Sequence, residues 1–336
     1  MLSSNRSVFK DGSKRQIAGE SLATIELLKC PTCESDFSLE HNAVTCYKGH
    51  FFSYADNVID FSAVERVNRI QKRSERSFGI EWTKYYATLG WSGSELASEK
   101  EMFLTYTRSM PNFFADKIVI DAGCGNGRYI NVLNNICSPP PRLVIGVDLS
   151  DSIFVAAKNC ATFKNVLFVK ANLNLLPKIL KIPVDYIYSI GVLHHTPSAR
   201  EAFNNLAKCV RPGGFISLYL YGKGNRLLYR VNNFLRNRFF QRWPHRLVYA
   251  LCVSIAIPSQ IFRIRFFGPW MLDFVSRVIF VSPDVHNMFD AYTAGYTSFH
   301  DRDEIENWYR SYGFDCVVES QQNHTALYCI GRNRSD

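Results

Sequence analysis

The sequence predicts an α/β protein built on a central, largely parallel sheet, and three stretches carry that expectation. The first is K-I-V-I-D-A-G-C-G-N-G-R-Y, Lys117 to Tyr129, where an apolar strand runs into an acid and then three alternating glycines. The second, L-V-I-G-V-D-L, is another apolar strand with an acid, Asp148, at its tip. The third is the succession V-D-Y-I-Y-S-I-G-V-L-H-H-T-P (Val184 to Pro197) and V-R-P-G-G-F-I-S-L (Val210 to Leu218), two strands separated by a helical pattern. Gly123, Gly125 and Gly127 let the chain turn sharply with no β-carbons in the way, so a ligand can lie against the backbone. Arg128 onward reads as a helix with Tyr129, Ile130 and Leu133 on its apolar side and its free amide ends near that turn.

Composition sets the bounds. A chain of 336 residues with 47% hydrophobic and 21% charged residues is long enough for one enzyme-sized domain with a small appendage. Ten cysteines spread over the whole length do not make a disulfide scaffold, and the N-terminus lacks the apolar core of a secretory signal, so a reducing, cytoplasmic setting is expected. The net charge of +9 is concentrated. Between Gly222 and Leu272 stand nine basic residues and no acid, a block that attracts phosphate or an anionic surface. The longest uncharged apolar run, Leu247 to Phe262, has 16 residues and contains Pro258, which is short for a membrane span; a buried helix or peripheral membrane contact through 222–272 both fit it.

Residues 1–24 are polar and aperiodic and read as a flexible leader. Residues 25–61 hold C-P-T-C at Cys30 and Cys33 and C-Y-K-G-H at Cys46 to His50. Three thiolates and one imidazole fill a tetrahedral zinc shell, and a segment this short hardly holds a core without a metal. The plain alternative is four cysteine and histidine residues packed as ordinary core. With all four positions ligating, the zinc is structural and has no open site for chemistry.

Residues 62–116 read as a helical connector. Phe78 to Tyr86 gathers aromatics around Glu81, and it either folds over a bound cofactor or packs on the sheet edge. The core spans 117–221. Pro139, Pro140 and Pro141 form a loop before the second strand, and a helix begins near Ser150. Asp148 is placed to accept hydrogen bonds from the two hydroxyls of a ribose. The turn G-C-G-N-G lacks the spacing of a dinucleotide fingerprint, which argues against a nicotinamide dehydrogenase. Ser198 and Glu201 form a capping box for a helix with Ala202, Phe203 and Leu206 on one side; Pro212 stops it and Gly213-Gly214 opens the fifth strand.

After Tyr221 the closing hairpin is deferred by a basic and apolar insertion, 222–300, expected to be largely helical and to serve as a lid. Its last part, V-S-P-D-V-H-N-M-F-D-A-Y, gathers Asp284, His286, Asp290 and Tyr292, either for acceptor binding and proton removal or as turn and cap residues. Residues 301–336 supply a helix capped by Asp301 and Glu304 and two closing strands.

Two resemblances add to this reading. D-A-G-C-G-N-G followed by G-V-D-L-S, F-V-K-A-N-L-N-L-L-P, the Val184 to Pro197 strand and loop, and the P-G-G turn resemble the motifs of class I S-adenosyl-L-methionine-dependent methyltransferases, in order, over about 100 residues. The resemblance implies a Rossmann-like seven-stranded methyltransferase sheet and S-adenosyl-L-methionine as methyl donor. It places Gly123, Gly125 and Gly127 under the methionine part, Asp121 toward its amino group, Asp148 and Leu149 at the ribose, and Asn172 and Leu173 at the adenine edge. Ser189 to Val192, Gly191 included, would floor the sulfonium. It leaves His194 and His195 either loop-shaping or catalytic; His286 and Asp290 of the insertion are further catalytic candidates on their own residues, outside the resemblance. Separately, C-P-x-C, twelve residues, C-x-x-x-H-x-F resembles the small zinc domain of bacterial guanine-N1 ribosomal RNA methyltransferases, which implies Cys30, Cys33, Cys46 and His50 as ligands and RNA as a possible partner.

The acceptor divides the function. The long apolar run suits a lid over a small or amphipathic organic acceptor, whereas the zinc unit and the basic block suit a ribosomal or transfer RNA base. Sequence alone favours the former. A methyltransferase-like protein that only binds partners is the non-enzymatic alternative.

Overall fold

The computed structural model describes residues 25–40, 43–65, 67–85, 91, 93–223, 233–234, 236, 238–265, 285–320 and 326–334. The expected leader and part of the insertion, including Arg226, Tyr229, Arg230 and Asp284, lie outside them.

Seven strands form the middle and one end of the sheet: β5 (Ile118–Ala122), β6 (Leu143–Asp148), β7 (Val166–Lys170), β8 (Val184–Ile190), β9 (Val210–Tyr221), β10 (Phe314–Ser320) and β11 (Ala326–Asn333). They lie in the order β7-β6-β5-β8-β9-β11-β10. The first five run parallel, and β11 pairs antiparallel with both β9 and β10. This is the Rossmann-like methyltransferase sheet that the motifs imply. The order reverses at β5, between β6 and β8, and ligands of such sheets bind outside the strand tips at that switch.

Helices cover both faces, so the central strands are apolar on both sides. Alternate residues divide accordingly. Ile118, Ile120 and Ile145 join one core, while Val119, Val144, Tyr186 and Tyr188 join the other. The helices are α1 (Arg69–Ile80), α2 (Gly93–Thr107), α3 (Arg128–Ile136), α4 (Ser152–Asn159), α5 (Leu176–Ile179), α6 (Ala199–Ala207), α7 (His245–Arg265), α8 (Val285–Thr293) and α9 (Arg302–Arg310). On α3, Tyr129, Ile130 and Leu133 are buried as their spacing requires. Asn68 caps α1 through Gln71 N–H at 2.9 Å, and a wider π-helical turn continues it over Glu81–Tyr85.

The N-terminal unit extends the sheet. A meander of β1 (Phe37–Glu40), β2 (Ala43–Cys46), β3 (Phe51–Ala55) and β4 (Val58–Asp60) ends with β4 parallel to β7, giving eleven strands in all. Leu28, Cys30, Phe52 and Phe61 share one core with Leu175 and Ile179, so the N-terminal cysteine-histidine unit is built onto the sheet edge and does not stand apart from it.

Two local expectations are corrected. The P-G-G segment lies inside the irregular start of β9, which begins at Val210; the register slips between Val184 and Tyr186 of β8, and the strand absorbs the proline and glycines as a bulge. Asp301 precedes α9 but makes no side-chain cap, because Lys223 Nζ engages its carboxylate at 2.6 Å. Glu304 is likewise occupied, by His300 Nδ1 at 3.0 Å.

The described part of the insertion is helical and has a small core of its own: Val248 and Cys252 of α7 against Met288, Phe289 and Tyr292 of α8. Tyr85 stacks on Tyr249 at 3.7 Å, and Ser77 on α1 joins His245 Nε2 at 2.7 Å and donates to the Thr293 carbonyl at 3.3 Å. Among the described residues no helix is long and apolar enough to cross a membrane.

Candidate active site

The site is built at the C-terminal ends of β7, β6, β5 and β8. After β5 the backbone turns through Gly123 at φ +96°, where a β-carbon would stand 2.3 Å from the Val192 side chain, so only glycine fits. Gly127 opens α3 at φ +83° with Cys160 and Ala156 against it. Trp82 of the π-turn lies over Gly125, and the Arg128 guanidinium sits 5.0 Å from the Trp82 ring while pairing with Glu99 at 3.0 Å. The aromatic stretch before β5 thus places one ring, Trp82, against the glycine turn.

Two carboxylates flank the turn and differ in how they are satisfied. Asp148, at the tip of β6, accepts the Gly125 N–H on Oδ2 at 3.0 Å and both the N–H and the hydroxyl of Ser150 on Oδ1, each at 2.8 Å. Burial still raises its pKa, with those donors opposing the shift. Asp121, at the tip of β5, is 2% exposed, and its Oδ2 has no hydrogen-bond partner among the described residues. Burial pushes its pKa up to about 8, with the neighbouring Tyr188 hydroxyl opposing and the Asp148 charge adding to the shift. A buried carboxylate with one unpartnered oxygen beside an open glycine turn fits an ammonium ligand, which would satisfy that oxygen and favour the ionised form.

The remaining cofactor candidates follow the strand tips. Ala171 N–H donates to the Asp148 backbone carbonyl at 3.1 Å, so the turn carrying Asn172 leaves β7 next to the end of β6. Asn172 accepts the Asn174 N–H at 3.1 Å and so caps the short turn holding buried Leu173. Leu149 is half-buried. Ser189 Oγ donates to the Ala122 carbonyl at 2.7 Å, tying β8 to β5, and Gly191 (φ +77°) faces open space. The set suits S-adenosyl-L-methionine: one strand-tip acid with an unpartnered oxygen, a second held by three donors, and a backbone without β-carbons between them.

The two histidines follow β8 in a 3-10 turn, Leu193–His195. His194 is fully buried, stacks on Tyr221 at 3.8 Å, and has no partner for either ring nitrogen among the described residues. Burial, helped by His195, holds it neutral with a pKa well below the ordinary value. His195 differs. Its Nδ1 meets the Tyr296 carbonyl at 3.0 Å and its Nε2 stands 3.5 Å from Asp290 Oδ2, the oxygen that accepts the Tyr221 hydroxyl at 3.1 Å. Burial works against charge on His195, but the Asp290 carboxylate and the Tyr296 carbonyl outweigh it and raise the pKa. Through the Tyr296 carbonyl and the Asp290 carboxylate His195 fastens α8 to the strand tips, although Nε2 makes no hydrogen bond among the described residues. His194, His195 and Asp290 therefore come together, while the His286 side chain lies outside the described residues. Tyr221, read from sequence only as the end of a strand, completes the cluster from 69 residues away from Asp290, and no local pattern announces that pairing.

At the sheet edge, one ligand atom from each of Cys30, Cys33, Cys46 and His50 lies within 4.8 Å of all the others. The sulfurs of Cys33 and Cys46 are 3.5 Å apart, and His50 Nδ1 is 3.3 Å from Cys46 Sγ and 3.6 Å from Cys30 Sγ. Ligands at about 2.0 to 2.3 Å from a tetrahedral zinc stand roughly 3.5 to 3.8 Å from one another, so the donor set and spacing fit that ion. Gly49 at φ +80° makes the second of the two ligand turns.

Comparison with known proteins bears on the core. Residues 120–218 match the family model described as a methyltransferase domain. The chain is 27% identical over 154 residues to the tRNA U34 carboxymethyltransferase of Pseudoalteromonas translucida, covering 44% of this chain and 46% of that protein. It is 33% identical over 107 residues to the tRNA (carboxymethyluridine(34)-5-O)-methyltransferase of Saccharomyces cerevisiae, covering 31% of this chain and 35% of that one. The chain thus spans less than half the length of either relative. Among solved structures, phosphoethanolamine N-methyltransferase 2 of Haemonchus contortus aligns with a TM-score of 0.45 at 12% identity, over 80% of this chain and 61% of that one. The core is a methyltransferase domain, the catalytic fold of a transferase.

Proposed function

We propose that this chain is an S-adenosyl-L-methionine-dependent methyltransferase whose acceptor is a nucleoside of RNA, most simply of transfer RNA. The observation that carries the methyltransferase reading is the pair of strand-tip carboxylates about the glycine turn: Asp148 with its three donors, Asp121 with an unpartnered oxygen at 2% exposure. The RNA reading rests on the activities named for the two relatives, supported by the basic insertion. It is put ahead of the small or amphipathic acceptor on those activities, and among the described side chains of α7 Val248 and Cys252 pack against α8.

S-adenosyl-L-methionine supplies an electrophilic methyl on a sulfonium, whose leaving group departs neutral. The chain's task is then to hold donor and acceptor in line. Asp121 would hold the amino group, Asp148 the ribose and Asn172 the adenine edge, while Trp82 keeps water from the glycine turn. The His195–Asp290 pair positions α8 over the strand tips. His194 stays neutral and buried, which suits an acceptor that needs no strong base, such as a carboxylate or an enolised base.

Purified protein incubated with tritiated S-adenosyl-L-methionine and mixed transfer RNA should put label into a ribonuclease-sensitive, acid-insoluble fraction. Label recovered only in organic-soluble or small-molecule fractions of the same organism's extract would overturn the RNA acceptor. For the metal, a structural zinc on Cys30, Cys33, Cys46 and His50 is the reading the distances support. Replacement Cys33→Ser should lower bound zinc from about one per chain toward zero and loosen the N-terminal meander; an unchanged zinc content would defeat this ligand set.

A further inference from the structure

A second feature lies outside the strand-tip site. Between α1 and the segment around Gln241 to His245 runs a cleft of about 1080 Å³. Six cations line it: Arg69, Lys72, Arg73, Arg76, Lys84 and Arg242. Two carboxylates, Glu75 and Asp151, oppose them, and Asp151 is already paired with Lys170 at 2.6 Å. The histidine of the cleft, His245, adds no charge: burial and the neighbouring Arg73 and Arg76 bring its pKa down to about 4.

The spacing is the informative part. Positions 69, 72, 73 and 76 follow the i, i+3, i+4, i+7 rule, so four like charges share one face of α1 over roughly 10 Å of helix. Such a face costs the isolated helix stability, because like charges at those spacings repel. Arg69, Lys72, Arg76, Lys84 and Arg242 form no ion pair within 4.0 Å among the described residues, and all five are exposed. Arg73 is the exception in role: its guanidinium donates to the carbonyls of Phe240 and Trp243 at 3.2 and 3.3 Å, fixing the far wall of the cleft to α1. Flanking the wall residues Gln241 and Arg242 in sequence are two exposed aromatics, Phe239 at 43% and Trp243 at 42%, with the Arg238 guanidinium 5.6 Å from the Phe239 ring. Unpaired cations in a row with exposed aromatic rings beside them are the chemistry of a single-stranded phosphodiester track with stacking platforms.

The cleft also leads somewhere. Gly79 and Asp151 are among the lining residues, and a β-carbon on Gly79 would stand 3.7 Å from both Asp151 N and Ser150 Cβ. Ser150 is the residue that holds Asp148. The track therefore abuts the strand tip proposed to hold the ribose of the methyl donor. We infer that this cleft binds the phosphate backbone of the RNA acceptor and feeds one nucleoside toward the strand tips. The inference rests on the RNA reading above and adds the surface that recognises it.

The test uses the full-length, zinc-loaded protein and fluorescein-labelled mixed transfer RNA as probe, titrated from 50 to 300 mM salt, with methyl transfer and S-adenosyl-L-methionine affinity measured in parallel. The triple variant Arg69→Gln, Lys72→Gln, Arg76→Gln should bind the probe at least tenfold more weakly at the lower salt and flatten the slope of log K against log salt by about two, since each lost single-strand phosphate contact removes roughly 0.7. Affinity for S-adenosyl-L-methionine should be unchanged, and the thermal midpoint equal or higher because repulsion on α1 is relieved. Arg242→Gln, on the opposite wall, should show a smaller loss of the same kind and serves if the triple variant does not fold. Unchanged probe affinity and salt slope in both variants would overturn the inference even if RNA is methylated. A parent protein that binds the probe through these residues yet transfers no methyl to it would instead sink the acceptor reading and leave the cleft standing. Absence of any probe binding by the parent would defeat both.

Discussion

Among the described residues, the strand tips and the clamp between the insertion and them both bury polar groups, and the two are satisfied over very different spans of chain. At the tips, Asp148 takes its donors from Ser150, two residues away, and from Gly125, 23 residues away. In the clamp, Ser77 meets His245 across 168 residues, Ser74 accepts the Gly295 N–H across 221, and Tyr221 reaches Asp290 across 69. The tips belong to contiguous βα units, so their geometry is set once the sheet forms. The clamp exists only when α1, the turn after β8 and α8 have all docked. Loss of a group at the tips should therefore change ligand binding on a fold that persists, whereas loss of a group in the clamp should change how firmly the cover is held.

The sharpest test is Asp148→Ala. A carboxylate accepting hydroxyl hydrogen bonds contributes about 3 kcal/mol or more when two such bonds are lost, so affinity for S-adenosyl-L-methionine should fall at least a hundredfold by titration calorimetry. The domain itself should remain folded, since the strands on either side are buried on both faces. An unchanged affinity would remove the ribose role from Asp148 and erase the distinction between the two regions.

That the tips were legible in the sequence follows from the same local character. Gly123 and Gly127 adopt positive φ where a β-carbon would strike Val192 or crowd Cys160 and Ala156, so the residue type reports the backbone directly. The clustering of Cys30, Cys33, Cys46 and His50 was legible because each pair sits on one short turn. What stayed hidden is equally physical. The fusion of the metal unit to the sheet depends on three residues of β4 pairing with β7 over 100 positions later, and nothing in V-I-D by itself names that partner. The Asp301 cap was a sound local expectation that a distant lysine overrode. Tyr221 ends an ordinary strand until α8 brings Asp290 to its hydroxyl. As for His194 and His195, their adjacency in sequence concealed opposite states, one neutral without partners and the other held by a carboxylate.

A second, smaller effect separates the two tip carboxylates. Asp121 has a pKa of about 8 in the folded protein against an ordinary 3.8, so the unliganded fold keeps its full stability below pH 4 and loses it as the pH rises toward 8. Asp121→Asn should flatten that slope, raising the thermal midpoint of the unliganded protein at pH 8 relative to the parent. It should also weaken S-adenosyl-L-methionine about tenfold, or 1.4 kcal/mol. At pH 7 the parent should release close to one proton on binding the cofactor, read from calorimetry in buffers of different ionisation enthalpy, and the variant none. Equal proton release by both would show that the amino group is met elsewhere.

The clamp should respond to pH with the same sign of shift but for the opposite reason. His195 has its pKa raised by Asp290, so the charged pair contributes fully below the ordinary histidine value of 6.5 and is lost as the pH rises through the folded value. In Asp290→Asn the amide oxygen still accepts the Tyr221 hydroxyl, but the carboxylate that favours the imidazolium is gone. The variant should be less stable than the parent by about 1 kcal/mol at pH 6, and the deficit should shrink as the pH is raised to 9, where His195 is neutral in both. Proteolysis between α7 and α8 should quicken at pH 6 in the variant, because the cover opens more often. Affinity for S-adenosyl-L-methionine at the strand tips should move less than twofold. A deficit that is the same at pH 6 and pH 9 would assign Asp290 to plain packing, and a large loss of cofactor affinity would mean that cover and tips are one unit.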